Sequence, residues 1–191
     1  MASVALEHLW RPCTLTDRRN DITTIKSQSS SEGLTPADVV GTPSTIELVV
    51  ESRNGSRCLR FAVRTLQIPP WLMPTIRSAG KLLSLPHGWD RQGALPVDSS
   101  AIQSAMASLS SIMSSNSSVP EWTPTQRSGV QLDWHENGVD MEIAFEPGGI
   151  DGQVVYNDQR QPDSEWEGPL GEHLSDLRML LRERLVSAAD V

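Results

Sequence analysis

Apolar and polar residues change rhythm several times along this chain, and each rhythm predicts a different element. From Thr45, the residues Ile46, Leu48 and Val50 alternate with Glu47, Val49 and Glu51. After Arg53-Asn54-Gly55-Ser56, Leu59, Phe61 and Val63 alternate with Arg60, Ala62 and Arg64. A period of two on both sides of an Asn-Gly pair predicts a β-hairpin, because Asn-Gly accepts the left-handed backbone of a tight turn. Pro69 and Pro70 close the second strand. Leu72, Ile76, Leu82, Leu83 and Leu85 then fall at spacings that allow an amphipathic helix, with Pro74 tolerable in its first turn.

A second helical stripe follows: Ala101, Ile102, Ala105, Met106, Leu109, Ile112 and Met113 recur at i, i+3, i+4 and i+7, with Asp98 or Ser99 placed as its N-cap. Ser114 to Pro124 reads as a linker loop. Three strands come next, Gly129–His135, Val139–Glu146 and Gln153–Tyr156, joined by Asn137-Gly138 and by Pro147-Gly148-Gly149. Val130, Leu132 and Trp134 alternate with Gln131, Asp133 and His135, and Met141, Ile143 and Phe145 alternate with Asp140, Glu142 and Glu146. One face of this meander is therefore expected to be core and the other wet and acidic. Asp158 to Gly168 is polar, and Leu170, Leu174, Leu177, Leu180, Leu181 and Leu185 give a closing helix.

Strands and helices are segregated rather than alternating, which predicts an α+β fold. The expectation is an antiparallel sheet of about five strands, hairpin plus three-stranded meander, with two or three helices packed on it. A length of 191 residues suits one domain, placed at 45–187. Residues 1–44 mix Ser, Thr, Asp, Arg and Pro without sustained period and read as a mostly flexible tail, with a short helix around Ala5 to Trp10. Residues 188–191 read as a second tail.

Charge sharpens this picture. The net charge is -8, but residues 1–96 hold 11 Lys/Arg against 8 Asp/Glu, and residues 97–191 hold 5 against 16, so the halves carry +3 and -11. Nucleic-acid binding rests on neutralising phosphates, so direct contact through the acidic half is not expected and a basic protein partner is. No run reaches the roughly 18 to 20 apolar residues of a membrane helix. Met1 to Glu7 has no basic stretch leading into an apolar one, so the expected location is cytoplasmic. The two cysteines, Cys13 and Cys58, are expected as free thiols, with no second pair to complete a zinc site.

The most distinctive segment is the loop Pro86-His87-Gly88-Trp89-Asp90-Arg91-Gln92-Gly93-Ala94-Leu95-Pro96. Turn chemistry accounts for it if Gly88 and Gly93 take positive φ, Trp89 plugs the core and Asp90 bonds loop amides. The functional alternative is a partner-binding hot spot at Trp89, Asp90 and Arg91, since Trp and Arg are over-represented in such sites. This loop, the helix after it, the strand Gly129-Val130-Gln131-Leu132-Asp133-Trp134-His135 and Met141-Glu142-Ile143 together resemble a pattern in small uncharacterised bacterial proteins. The resemblance spans roughly residues 80–146, and Arg91 stands where glycine is expected. It implies a fold rather than an activity.

Asp133 and His135 project to one face of a strand with Glu142 expected opposite, and carboxylate–histidine chemistry is conceivable there, against the plainer reading of a solvated sheet face. His87 with Asp90 lacks a serine elbow or a Cys-His signature. Ser78-Ala79-Gly80-Lys81 lacks the first glycine and the following Ser/Thr of a phosphate loop. Trp10, Trp71, Trp122 and Trp166 fall in or beside loops, which suits either an interface or the ends of the core. The chain is thus expected to be a non-enzymatic interaction protein, such as an inhibitor, antitoxin-like neutraliser or accessory subunit. It would offer an acidic face and a Trp-bearing loop, through Trp89, Asp90, Arg91, Asp133, His135, Asp140 and Glu142, to a basic partner, with no cofactor, metal or catalytic residue. A small metal-dependent hydrolase using His87, Asp90, Asp133, His135 or Glu142 is the first alternative. A structural or assembly component is the second, although no heptads support it.

Overall fold

A computed structural model of the chain describes residues 5–7, 26–28, 44–51, 57–65, 67–149 and 151–186. The hairpin forms as its alternation predicts, from β3 (Ser44–Glu51) and β4 (Cys58–Thr65), in register from Ser44↔Thr65 to Glu51↔Cys58. Its Asn54-Gly55 turn lies outside the described residues. Two short strands fall inside the stretch read as a tail: β1 (Ala5–Glu7) pairs with β4, and β2 (Lys26–Gln28) pairs with β3. Ala5–Glu7 is thus strand and not the start of a helix. The result is a four-stranded antiparallel sheet in the order β1-β4-β3-β2.

The expected five-stranded antiparallel sheet is present, but all its strands come from the second half, in the simple order β5-β6-β7-β8-β9. The meander supplies β6 (Val130–Glu136), β7 (Val139–Phe145) and β8 (Gln153–Asp158). Asn137 and Gly138 take φ of 54° and 74° between Glu136 and its partner Val139, as a two-residue Asn-Gly turn requires. The edges are β5 (Glu121–Pro124), inside the expected linker, and β9 (Trp166–Pro169), inside the expected polar stretch.

Helices α1 (Leu72–Leu83) and α2 (Ser99–Ile112) lie between the two sheets: α1 touches β3 and β5, while α2 touches β1, β6 and β7. Helix α2 suits this place because its sequence is mostly Ser and Ala, which lets both sheets approach, while Ile102, Met106, Leu109 and Ile112 are almost wholly buried. Its N-cap is Asp98, whose Oδ1 accepts from the Ser100 amide at 2.7 Å. The closing helix begins with a 3-10 turn at Leu170–Glu172 and becomes α3 at Leu174–Glu183, which packs on α2. Leu59, Phe61 and Val63 of β4 join the same core as Val130, Leu132, Trp134, Met141, Ile143 and Phe145. The alternation thus marked these buried residues, although Ala62 and Asp133, at positions it marked polar, are buried as well.

One expectation is corrected and one open reading is decided. Cys58 is disulfide-bonded and not a free thiol; the chain's other cysteine, Cys13, lies outside the described residues. Of the tryptophans left open between an interface and the ends of the core, Trp71 and Trp122 are core residues at 1% and 8% exposure, and Trp134 is buried at 2%, as its alternation predicts. Trp166 is half-buried, stacked between Tyr156 and His173. Trp134 donates its indole N–H to the Ser118 carbonyl at 3.1 Å, whereas the indole nitrogens of Trp71 and Trp122 have no partner among the described residues.

Candidate functional site

The Gly-Trp-Asp loop is built around one carboxylate. Asp90 Oδ1 accepts from the amides of Gln92 at 2.8 Å and Ala94 at 2.9 Å, and the loop closes through Gly88 N–H to the Ala94 carbonyl at 2.7 Å. Those two amide bonds, Ala94 first, hold the Asp90 carboxyl below its ordinary range. Gly88 and Gly93 have φ of 72° and 91°, and Arg91, where glycine was expected, has φ of 64°. The backbone therefore has the left-handed shape that glycine favours, with an arginine side chain mounted on it. Trp89 does not plug the core. It is half-buried, with its indole N–H donated to the Leu95 carbonyl at 3.1 Å. The loop is fastened at its base by the Arg57 guanidinium, which donates to the carbonyls of Leu83 and Val97, and by the Asp98 amide donating to Ser128 at 2.7 Å.

The second group of expected residues lies on the outer face of the five-stranded sheet. Register puts Asp133 opposite Glu142 and His135 opposite Asp140. Following the same pairings outward, Glu121, Asp133, Glu142, Val155 and Glu167 form one row across all five strands. Directly paired residues share a face, with Cβ atoms about 4.5–5.5 Å apart. Glu121, Glu142 and Glu167 are exposed, and Val155 stands among them at 47% exposure. No strand of this sheet contains Lys or Arg. Asp133, expected in solvent, is only 8% exposed, and its Oδ1 accepts from Gln131 Nε2 at 2.7 Å.

One row further along, His135 Nδ1 meets Asp140 Oδ1 at 2.9 Å, and Gln159 Nε2 donates to Asp140 Oδ2 at 2.8 Å. The hydrogen bond to Asp140, with smaller contributions from the charges of Asp140, Asp133 and Glu142, raises the His135 pKa above its ordinary 6.5. The same bond, and then that from Gln159, lowers Asp140. This is half of an acid–base relay. Among the described residues no Ser, Thr or Cys is hydrogen-bonded to the imidazole, and no three His, Cys, Asp or Glu side chains converge to hold a metal ion.

The structure thus joins Asp133 with Glu142 and His135 with Asp140, and keeps Trp89, Asp90 and Arg91 apart in their own loop. Reading the sequence missed Glu121 and Glu167, since a four-residue edge strand is too short to show a period. The one available signal was the absence of basic residues from 129–158. No protein-family model, no curated protein and no solved structure matches the chain.

Proposed function

We propose that the protein is a non-enzymatic binding protein that takes a basic protein partner on the outer face of its five-stranded sheet, as an inhibitor, antitoxin-like neutraliser or accessory subunit would. The observation that carries this reading is the row Glu121, Asp133, Glu142 and Glu167, on strands without a compensating Lys or Arg. Like charges on paired strands cost stability, and nothing in the packing of the core requires them. A broad single-sign face does, however, speed and orient the approach of an oppositely charged protein. Asp90 is not part of this face, because its charge is turned inward onto loop amides.

No helix among the described residues is long and apolar enough to cross a membrane. The cytoplasmic placement read from the sequence stands against the Cys58 disulfide, which belongs to an oxidising compartment. Alkylation of protein from freshly broken cells, read by intact mass, decides between them.

The binding reading is tested by immobilising the wild type beside a Glu121→Gln/Glu142→Gln/Glu167→Gln variant and capturing partners from native lysate at low and high salt. The expected result is one stoichiometric partner with a basic surface, released by salt and absent from the variant. Equal recovery by both proteins refutes the acidic face as the binding surface.

A further inference from the structure

The Gly-Trp-Asp loop does not stand alone. The Leu95 amide donates to the Gln126 carbonyl at 3.5 Å and the Asp98 amide to Ser128 at 2.7 Å, so the loop lies along the turn at 125–129 that joins β5 to β6. Each of these two touching loops holds a non-glycine residue in the left-handed region, Arg91 at φ 64° and Ser128 at φ 70°. The other such residue among those described, Asn137, belongs to an ordinary Asn-Gly turn. Strain of this kind persists where the surroundings over-determine it and collects at binding surfaces.

What the two loops present is the reverse of the sheet face. Arg91 and Arg127 are exposed, and neither side chain makes a hydrogen bond or ion pair among the described residues, the Arg91 amide alone donating to the Gly88 carbonyl at 2.9 Å. The nearby acids are turned into the chain: Asp90 Oδ1 accepts from loop amides while its Oδ2 is buried without a partner among the described residues, and Asp98 bonds Ser100. The first of these loops also carries apolar groups. Leu95 is 50% exposed, and Trp89 is half-buried with its only polar atom committed to the Leu95 carbonyl. Fixed loops, unpaired guanidinium groups and an exposed apolar side chain together have the make-up of an interaction hot spot.

We infer that the paired loops 86–97 and 125–129 form a second binding surface, which receives an acidic protein segment carrying an apolar side chain among its carboxylates. Guanidinium groups pair with carboxylates through parallel N–H···O bonds, and Leu95 with the face of Trp89 gives the apolar side chain a place to lie. A polyanion such as RNA is disfavoured, because two arginines offer little counterion release and the chain as a whole carries -8. This surface is independent of the acidic sheet face, and the two can fail separately.

The test uses a fluorescein-labelled peptide in which leucine recurs among glutamates, titrated with the full chain and read by anisotropy. Uridine homopolymer serves as the competing anion. Binding is expected to weaken with salt, to be roughly three- to fivefold weaker in Arg91→Gly and again in Arg127→Gln, and to be unchanged in the Glu121→Gln/Glu142→Gln/Glu167→Gln protein. Arg91→Gly is informative because it relaxes the backbone. A variant that melts at a higher temperature yet binds less well cannot owe the loss to unfolding. The inference is overturned if the peptide does not bind the wild type, if the Arg91→Gly/Arg127→Gln protein binds it equally well, or if the RNA binds more tightly than the peptide.

Discussion

Arg91 shows how one residue can set local conformation against side-chain identity. An L-residue in the left-handed region costs roughly 1–2 kcal/mol relative to the right-handed one, and Arg91 sits there at φ 64°. Replacement by glycine removes that cost but gives the unfolded chain more freedom, so the net gain expected for Arg91→Gly is about 0.5–1 kcal/mol. Chemical denaturation of the two proteins checks it, and equal midpoints count against strain at this position. His135 makes a different residue-scale prediction. Its folded pKa lies above the unfolded value because Asp140 favours the imidazolium. The stabilisation is therefore complete below about 6.5, the unfolded value, and is lost as pH rises through the folded pKa. Histidine resonances followed by NMR across neutral pH should show His135 titrating above 6.5, and Asp140→Asn should move it down. No change in Asp140→Asn removes that pair as the cause.

Elements were legible to the degree that their side chains carried a period. The hairpin, the meander, α1 and α2 all showed one, and the apolar residues that it marked on β4, the meander and α2 are buried, while Ala62, Thr75 and Asp133 are buried without having been marked. The Asn137-Gly138 turn and the Asp98 cap were equally plain, since each has a chemical signature confined to a few residues. Strands β1, β2, β5 and β9 were not visible, because three or four residues cannot display a period and owe their existence to the longer strand beside them. The sheet to which the hairpin belongs was likewise hidden, since a helix that touches two sheets shows the same stripe as a helix that touches one. Long-range fastenings were also silent in the sequence, and the clearest of them concerns α3. Asp158 at the end of β8 is 1% exposed and pairs with Arg184 Nη2 at 3.0 Å, while the Arg184 carbonyl accepts from Asn137 at 2.9 Å. Removing one partner leaves a buried carboxylate uncompensated. Arg184→Ala is therefore expected to cost about 2–3 kcal/mol, below the full buried-pair range because the guanidinium is partly exposed. Hydrogen exchange should show the loss first in α3. A change that leaves α3 protection intact would mean that its leucines, and not this pair, hold it down.

At the scale of the whole molecule, the decisive property is the row of carboxylates across the five-stranded sheet. Three carboxylates, Glu121, Asp133 and Glu142, stand on neighbouring paired strands, with Glu167 one strand beyond Val155. In a protein of net charge -8 this row meets little long-range compensation from the rest of the chain. Paired like charges cost roughly 0.2–1 kcal/mol each in the exposed setting of a sheet face, and salt screens them over a Debye length of about 10 Å at 0.1 M. The isolated protein should therefore become more stable as salt rises through this range, the opposite of a protein held together by surface ion pairs. Glu121→Gln/Glu142→Gln should be the more stable protein at low salt, by up to about 1 kcal/mol, and should respond less to added sodium chloride. Thermal melts of both proteins across a salt series read the difference directly. If the variant gains nothing at low salt, the row does not repel itself, and the cost of maintaining it ceases to be a reason for assigning it to a partner. If the variant gains stability and loses the captured partner, the same carboxylates burden the free protein and serve the bound one.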